Sequence, residues 1–409
     1  MHFKCDDTPL TLEEARARIW SAIEPMGAER VSLAQAHGRF MAERVVCPID
    51  LPGFDNAAMD GYAVRADDVR DASPARPVAL RLVGRTGAGE ICPVAVSSGQ
   101  CVRIATGAPL PQGADAVVMQ EDTQPDPDDR DTVRILTAVA TGQYVRRRGE
   151  DVSRGATLAQ HGDHLSVGRI WLLAAAGLSE VVVRQRPVVA LLATGSELQP
   201  PGQPLAPGQV HDSNRAGLAM LLEQTGAIAR LLPMVPDSWQ ETCQALEHAV
   251  HQADVVLTSG GVSVGARDML KEAWLALGGE LEFWRVAIRP GKPFVFGQWK
   301  GKYWFGLPGN PVSAFVTFII LVRPALLRLL GATEWNCPTS WAILQEPLVN
   351  AEDRRAFLRV TVDDAGKARS AGGQASHLLS SLATANGLVE VPPHQSLAAG
   401  ALVRVFRWL

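Results

Sequence analysis

The sequence predicts a multidomain protein in which a central α/β domain with a mostly parallel sheet is flanked by β-rich units. Three observations carry that prediction. Between residues 187 and 330, apolar strand-like runs alternate with amphipathic helical runs, the pattern of βαβ units. From about residue 50 to 141, short β-rich pieces are separated by clusters of Gly, Pro and Asp. After Gly331 the pattern is β-like again, with strand candidates spaced as in a barrel or sandwich. A chain of 409 residues, at roughly 150 residues per domain, holds two to four of them. We divide it into an N-terminal α/β module of residues 1–50 with 142–180, a β-rich domain of 51–141, an α/β domain of 181–330 and a C-terminal β-barrel domain of 331–409.

Taken in order, Thr11 to Ala22 places Leu12, Ala15, Ile19 and Ala22 at helical spacing, behind a cap at Thr8 and ahead of Pro25. ALRLVG, CVRIA, DAVVMQE and TVRIL are the strands of the β-rich stretch; the acidic run Gln124 to Asp131, with its two prolines, reads as a solvated hairpin loop between two of them rather than a metal site. In the α/β stretch VVALLAT leads into TGSEL, and DSNRAGLAMLLEQTGA offers an Asp or Ser cap, an amphipathic face and a terminating glycine. RLLPMV leads through PDS to a helix ending near Val250, and VVLTSGG leads to the helix after Asp268. A turn is expected over Trp299 to Lys302, and Phe315 to Val322 reads as a buried helix. SWAILQ, AFLRVTV, LVEVP and ALVRVFRW are the C-terminal strand candidates.

Ligands of mostly parallel sheets sit at the carboxyl ends of the strands, where Glu197, Asp237 and the run Ser259 to Asp268 converge. TSGGVSVGARD is a glycine-rich turn behind an apolar strand. Gly260 and Gly261 allow close backbone approach, Ser259 and Ser263 bring hydroxyls, and the amides of the next helix start face negative charge. A carboxylate at Asp268 repels phosphate unless a cation lies between them, which points to a divalent metal bridging protein and oxyanion. Asp268 reads equally well as the N-cap of the helix beginning at Met269. Downstream, Arg289 and Lys292 in IRPGKP, and Pro308, Asn310 and Pro311 in LPGNPVS ahead of Ser313, form a rigid cation-lined cradle for an oxyanion, or else a stiff connection carrying two solvated cations.

A net charge of -4 with a pI near 6.2 gives no general attraction to nucleic acid or an anionic membrane. The cysteines at 5, 47, 92, 101, 243 and 337 show no CxxC and no zinc spacing, which suits a reducing compartment. MHFKCDDTPL is not a secretory leader, and no uninterrupted apolar run reaches the ~18 residues of a membrane span, so a cytoplasmic location is expected. Neither GxGxxG after a strand nor GxxxxGK[ST] occurs, which removes the dehydrogenase and P-loop readings.

Seven strings stand in order: PGFDNAAMDGYAV from Pro52, ATGAPLPQGADAVV from Ala105, RRRGEDV from Arg146, ATGSEL from Ala193, SGGVSVGARD from Ser259, RPGKP from Arg289 and LPGNPVS from Leu307. Together they resemble the bacterial molybdopterin molybdenumtransferases, whose eukaryotic relatives include the E domain of gephyrin, and the resemblance covers almost the whole chain. It implies an elongated N-terminal module and a Rossmann-like, molybdopterin-binding α/β domain. It also implies a magnesium-dependent insertion of molybdate into adenylylated molybdopterin with release of AMP. The dithiolene sulfurs come from the pterin, so no cysteine cluster is needed.

The same resemblance implies roles for single residues. Glu197, Asp237 and Asp268 position Mg²⁺, with Glu197 and Asp268 as its ligands; Arg289, Lys292 and Ser313 contact molybdate or phosphate, joined by Arg359 and Ser376; Asp60, Thr106 and Asp151 are carried over as further site residues. Without the family, Asp60 is a turn former before Gly61, Thr106 caps a turn before Gly107, and Ser376 is a surface residue. A homodimer with a shared active site is implied, in which the β-rich domain of one subunit approaches the α/β domain of the other, and so is contact with a molybdopterin adenylyltransferase. Arg289 stands where the family usually has lysine, TGSEL where TGDEL is common and SVGARD where SVGEKD is common; a planar guanidinium changes the oxyanion geometry open to residue 289. Two rival readings are a molybdopterin adenylyltransferase, which the α/β domain alone resembles, and a non-catalytic scaffold of the gephyrin type.

Overall fold

The computed structural model describes residues 8–262 and 269–408. The strands Val188–Ala193 and Val255–Ser259 are apolar almost throughout because both faces of their sheet are covered. Val189, Leu191, Val255 and Leu257 enter a core shared with the helices Leu12–Ala22, Asn214–Thr225 and Pro311–Leu329. Ala190, Leu192 and Val256, one residue out of phase, enter a second core under Trp239–Gln252 and Met269–Ala276.

The sheet runs in the spatial order Ile228–Leu231, Val188–Ala193, Val255–Ser259, Lys302–Leu307, Pro293–Trp299, Glu280–Arg285. The first four strands are parallel, Pro293–Trp299 is antiparallel to both of its neighbours, and Glu280–Arg285 therefore runs in the direction of the first four. From Val188–Ala193 the chain crosses to one side and returns on the other at Val255–Ser259, so the strand order reverses between these neighbours and a crevice opens outside their carboxyl ends. The expected turn at Trp299 to Lys302 closes a hairpin with Lys300 at φ 50° and Gly301 at φ 75°, the two left-handed positions of a tight hairpin turn.

The first helix starts at Leu12 and is capped by Thr11, one turn later than the expected Thr8. The cause is Glu14, whose carboxylate accepts from the Thr11 amide at 2.9 Å while Thr11 Oγ1 accepts from the Glu14 amide at 3.2 Å. Although its sequence position groups it with residues 1–50, this helix packs Leu12, Ala15 and Ile19 into the α/β core. The helix Pro311–Leu329 is, by length and composition alone, apolar enough to cross a membrane, yet it lies in the protein core with Phe318 to Val322 buried. It runs through Pro324, which lacks an amide donor, by widening into a π-turn over Phe318–Val322.

The β-rich stretch forms one sheet ordered Ala116–Met119, Gly61–Val64, Gln100–Ile104, Val78–Thr86, Thr132–Ile135, Thr123–Pro125. The acidic run is the loop of its terminal hairpin, where Asp126 pairs with Arg134 at 2.8 Å and accepts the Asp128 amide. Short antiparallel pairs join the outgoing and returning chain on either side of this sheet: Ala28–Ser32 with Glu180–Arg184, Val45–Val46 with Thr157–Ala159 and Asn56–Ala57 with Val145–Arg146. At the C-terminus Arg355–Val362, Lys367–Ser370, Thr339–Leu344, Leu402–Phe406 and Gly387–Val391 pair in sequence, and the last closes on the first as a barrel. Ile288–Arg289 pairs with Arg355–Val362 and ties the barrel to the α/β domain.

Candidate active site

A cavity of about 770 Å³ opens at the point where the strand order reverses. Its floor is the end of two strands: Ala193 and Thr194 from one, Ser259, Gly260 and Gly261 from the other. Gly260 has φ +88°, and a Cβ there would stand 2.7 Å from the Thr194 carbonyl oxygen. Gly261 has φ +67°, and its Cβ would stand 2.8 Å from Thr194 Oγ1 and 2.6 Å from Leu270 Cδ1. Only glycine fits this turn at both positions. Thr194 Oγ1 is buried beneath this turn and has no hydrogen-bond partner among the described residues.

Two loops supply the acidic wall. Glu197 and Asp237 both line the cavity, and the loops that carry them are tied reciprocally: the Asp237 amide donates to Ser196 Oγ at 3.0 Å and the Ser196 amide to Asp237 Oδ2 at 3.4 Å. A third carboxylate, Asp212, is only 3% exposed and is neutralised by Arg215 Nε at 2.6 Å while accepting the Arg215 amide at 3.1 Å. The opposite wall is the turn Pro308 to Pro311 with buried Ser313 just inside the long helix. Asn214 joins the two halves, because its Nδ2 donates to Ser259 Oγ and to the Gly309 carbonyl oxygen, each at 2.7 Å. Among the described residues the cavity wall holds no Lys and no Arg.

The C-terminal barrel reaches this site through one loop. Asn310 Nδ2 donates to Ser376 Oγ at 3.0 Å, the Val312 amide donates to the Ser376 carbonyl oxygen at 3.1 Å, and His377 lines the cavity.

Three family descriptions cover nearly the whole chain: "MoeA N-terminal region (domain I and II)" over residues 10–177, "Probable molybdopterin binding domain" over 190–328 and "MoeA C-terminal region (domain IV)" over 342–408. A molybdopterin molybdenumtransferase of Haemophilus influenzae is 37% identical over 403 residues, spanning 97% of this chain and 98% of that protein. The chain belongs to the molybdopterin molybdenumtransferase family. Molybdopterin molybdenumtransferase 2 of Mycobacterium tuberculosis is 39% identical over 92% of the chain and 94% of its own length. The crystal structure of the molybdopterin biosynthesis moeA protein from Pyrococcus horikoshii OT3 superposes with a TM-score of 0.85 at 30% identity, covering 98% of this chain and 100% of that one.

The site residues expected in this molybdenumtransferase-family chain separate into groups. Glu197, Asp237, Ser259, Gly260, Gly261, Pro308, Asn310, Pro311 and Ser313 share the large cavity. Ser263 and Asp268 lie outside the described residues. Arg289 does not line the cavity: it pairs with Glu352 at 3.0 Å, drawn toward the barrel by the bridge to Arg355–Val362. Lys292 is half-buried beside Pro293 and is likewise not on the wall. Arg359 is fully buried in the barrel, and its guanidinium donates to the carbonyl oxygens of Gly373 at 2.7 Å and Ala375 at 3.1 Å and to Ser381 Oγ at 2.9 Å. It therefore holds the loop that carries Ser376 instead of reaching the cavity. Asp151 is exposed, with its amide donating to the Leu51 carbonyl oxygen, and lines neither this cavity nor the next.

Asp60 lines a separate cavity on the β-rich domain, and Thr106 is bonded to it from just outside that lining. Asp60 Oδ1 accepts the Thr106 amide at 2.6 Å and its hydroxyl at 2.8 Å, bonds that hold the carboxyl below its usual range. Because the folded value is depressed, these bonds are present at neutral pH and are lost as pH falls through it. Carboxyl ¹³C NMR is expected to give Asp60 a lower midpoint in the parent protein than in Thr106→Val. Equal midpoints would remove this account. Thr194, Asp212 and Asn214 went unnamed in the sequence reading; their only signals were the TGSEL and DSN strings, which read as turn and cap.

Proposed function

We propose that the large cavity binds adenylylated molybdopterin and molybdate, and that the chain inserts the metal into the pterin dithiolene as AMP leaves. Family membership makes the chain a transferase of molybdenum cofactor biosynthesis. The observation that carries the finer reading is the mismatch between floor and wall. A glycine turn suited to phosphate forms the floor beside carboxylates, with no Lys or Arg among the described lining residues to neutralise them. A divalent cation resolves the mismatch. Magnesium is commonly held by one or two carboxylates together with substrate phosphate, and Glu197 and Asp237 provide two oxygen donors on one wall. Among the described residues no group of three His, Cys, Asp or Glu could enclose a metal alone, which suits an ion completed by substrate.

Bound there, Mg²⁺ would neutralise charge at the phosphoanhydride. The chain's own residues orient the reactants: Ser313 offers a hydroxyl to oxyanion atoms, Asn214 fixes Ser259, and the glycine turn admits the phosphate against backbone. No described cysteine lines the cavity, consistent with sulfur arriving on the pterin. Asp60 and Thr106 stand apart from the cavity within one chain, so we infer a cytoplasmic homodimer in which the partner's β-rich domain completes it, with an adenylyltransferase delivering substrate.

The test mixes purified protein with adenylylated molybdopterin. AMP release is expected only with molybdate and Mg²⁺ together, with activation of an apo-molybdoenzyme by the product. Release without molybdate, or synthesis of the adenylylated pterin from ATP, would reject the insertion reading. Sedimentation showing monomers at micromolar concentration would reject the shared site.

A further inference from the structure

Arg85 and Arg103 are register partners on the adjacent parallel strands Val78–Thr86 and Gln100–Ile104. Partners in register leave a sheet on the same face, with backbones about 4.8 Å apart. Like charges set directly opposite one another destabilise a sheet. The structure leaves this pair without an ion-pair partner among the described residues. Arg103 Nη2 donates only to the neutral Gln120 Oε1 at 3.1 Å.

Both arginines line the cavity of about 320 Å³ on the β-rich domain. Two carboxylates line it too, but each is engaged by donors other than the arginines. Asp60 accepts from the Thr106 amide and hydroxyl, and Glu90 Oε2 accepts the Gly87 amide at 2.9 Å. Two guanidinium groups thus line an open cavity, neither in ion-pair contact with a carboxylate among the described residues, although Arg103 is near enough to help the Thr106 bonds lower the Asp60 pKa. Planar forks of this kind recognise tetrahedral oxyanions by paired hydrogen bonds.

We propose that Arg85 and Arg103 form a clamp for a tetrahedral oxyanion of the phosphate or molybdate class. The clamp stands whether or not the insertion reading holds, because its evidence lies on the β-rich domain alone. Its ligand is either the phosphate of an adenylate or a free oxyanion.

Arginine labelling with phenylglyoxal, read peptide by peptide by mass spectrometry on the full-length protein, tests it. Millimolar AMP, inorganic phosphate or molybdate is added in separate arms, and exposed Arg70 on the same domain is the control. At least one ligand is expected to slow labelling of both Arg85 and Arg103 severalfold while leaving Arg70 unchanged. Protection by AMP alone assigns the adenylate phosphate, and protection by molybdate or phosphate assigns a free oxyanion. In Arg103→Gln, a surface change outside the large cavity, protection at Arg85 is expected to vanish. Equal labelling in every arm, or protection of Arg85 that survives Arg103→Gln, would overturn the clamp.

Discussion

Gly260→Ala is expected to lower the unfolding free energy by about 2 to 5 kcal/mol, the sum of a left-handed alanine and an overpacked contact. AMP release is expected to fall about a hundredfold, the cost of displacing a positioning element by roughly 1 Å. The two contributions can be separated. Gly202 has the same φ of +88° with nothing within 4 Å of its would-be Cβ, so Gly202→Ala isolates the conformational part. At Gly260 the neighbour is the Thr194 carbonyl oxygen at 2.7 Å, a backbone atom that cannot swing aside. Moving it shifts the end of Val188–Ala193, and with it Thr194 Oγ1 and the loop to Glu197. Urea unfolding of both variants, with AMP release measured on each, checks the claim. Equal destabilisation by the two substitutions would mean that the turn yields without disturbing the floor.

The sheet could be read from the sequence because a strand buried on both faces must be largely apolar: VVALLA is so throughout, and VVLTS until Thr258 and Ser259 at its carboxyl end. Lys367–Ser370 was missed for the converse reason: only Ala368 of that strand is buried, so KARS carries no periodic signal. The continuation of the helix through Pro324 was hidden because the π-turn that accommodates it is a backbone adjustment with no residue signature. At the site, residues that follow strand ends were legible because topology alone brings such ends to one edge. Glu197, Asp237 and the glycines needed no knowledge of side-chain direction. Arg289 did, and its direction is set by a pairing with Ala356 on another domain, beyond the reach of local pattern. Asn214 is the same kind of case, since its role depends on Gly309, 95 residues away.

Arg359→Met is expected to change stability by no more than about 2 kcal/mol, because removing a buried guanidinium relieves desolvation while forfeiting its hydrogen bonds. The balance is close here for identifiable reasons. Among the described residues the guanidinium has no carboxylate partner and its Nη1 no hydrogen-bond partner, and burial pushes its pKa down, all signs that its charge is poorly compensated. Activity is expected to fall by about tenfold to a hundredfold, since the loop tied down through Gly373 and Ala375 delivers Ser376 to Asn310 at the cavity wall. If Arg359 acts through that loop, its effect and that of Ser376→Ala report the same displacement and will not add. A double-mutant cycle on kcat/KM should show coupling of about 0.5 to 3 kcal/mol. Additive losses, with the KM for molybdate raised specifically by Arg359→Met, would instead make Arg359 a direct contact of the oxyanion and would require the loop to open for it.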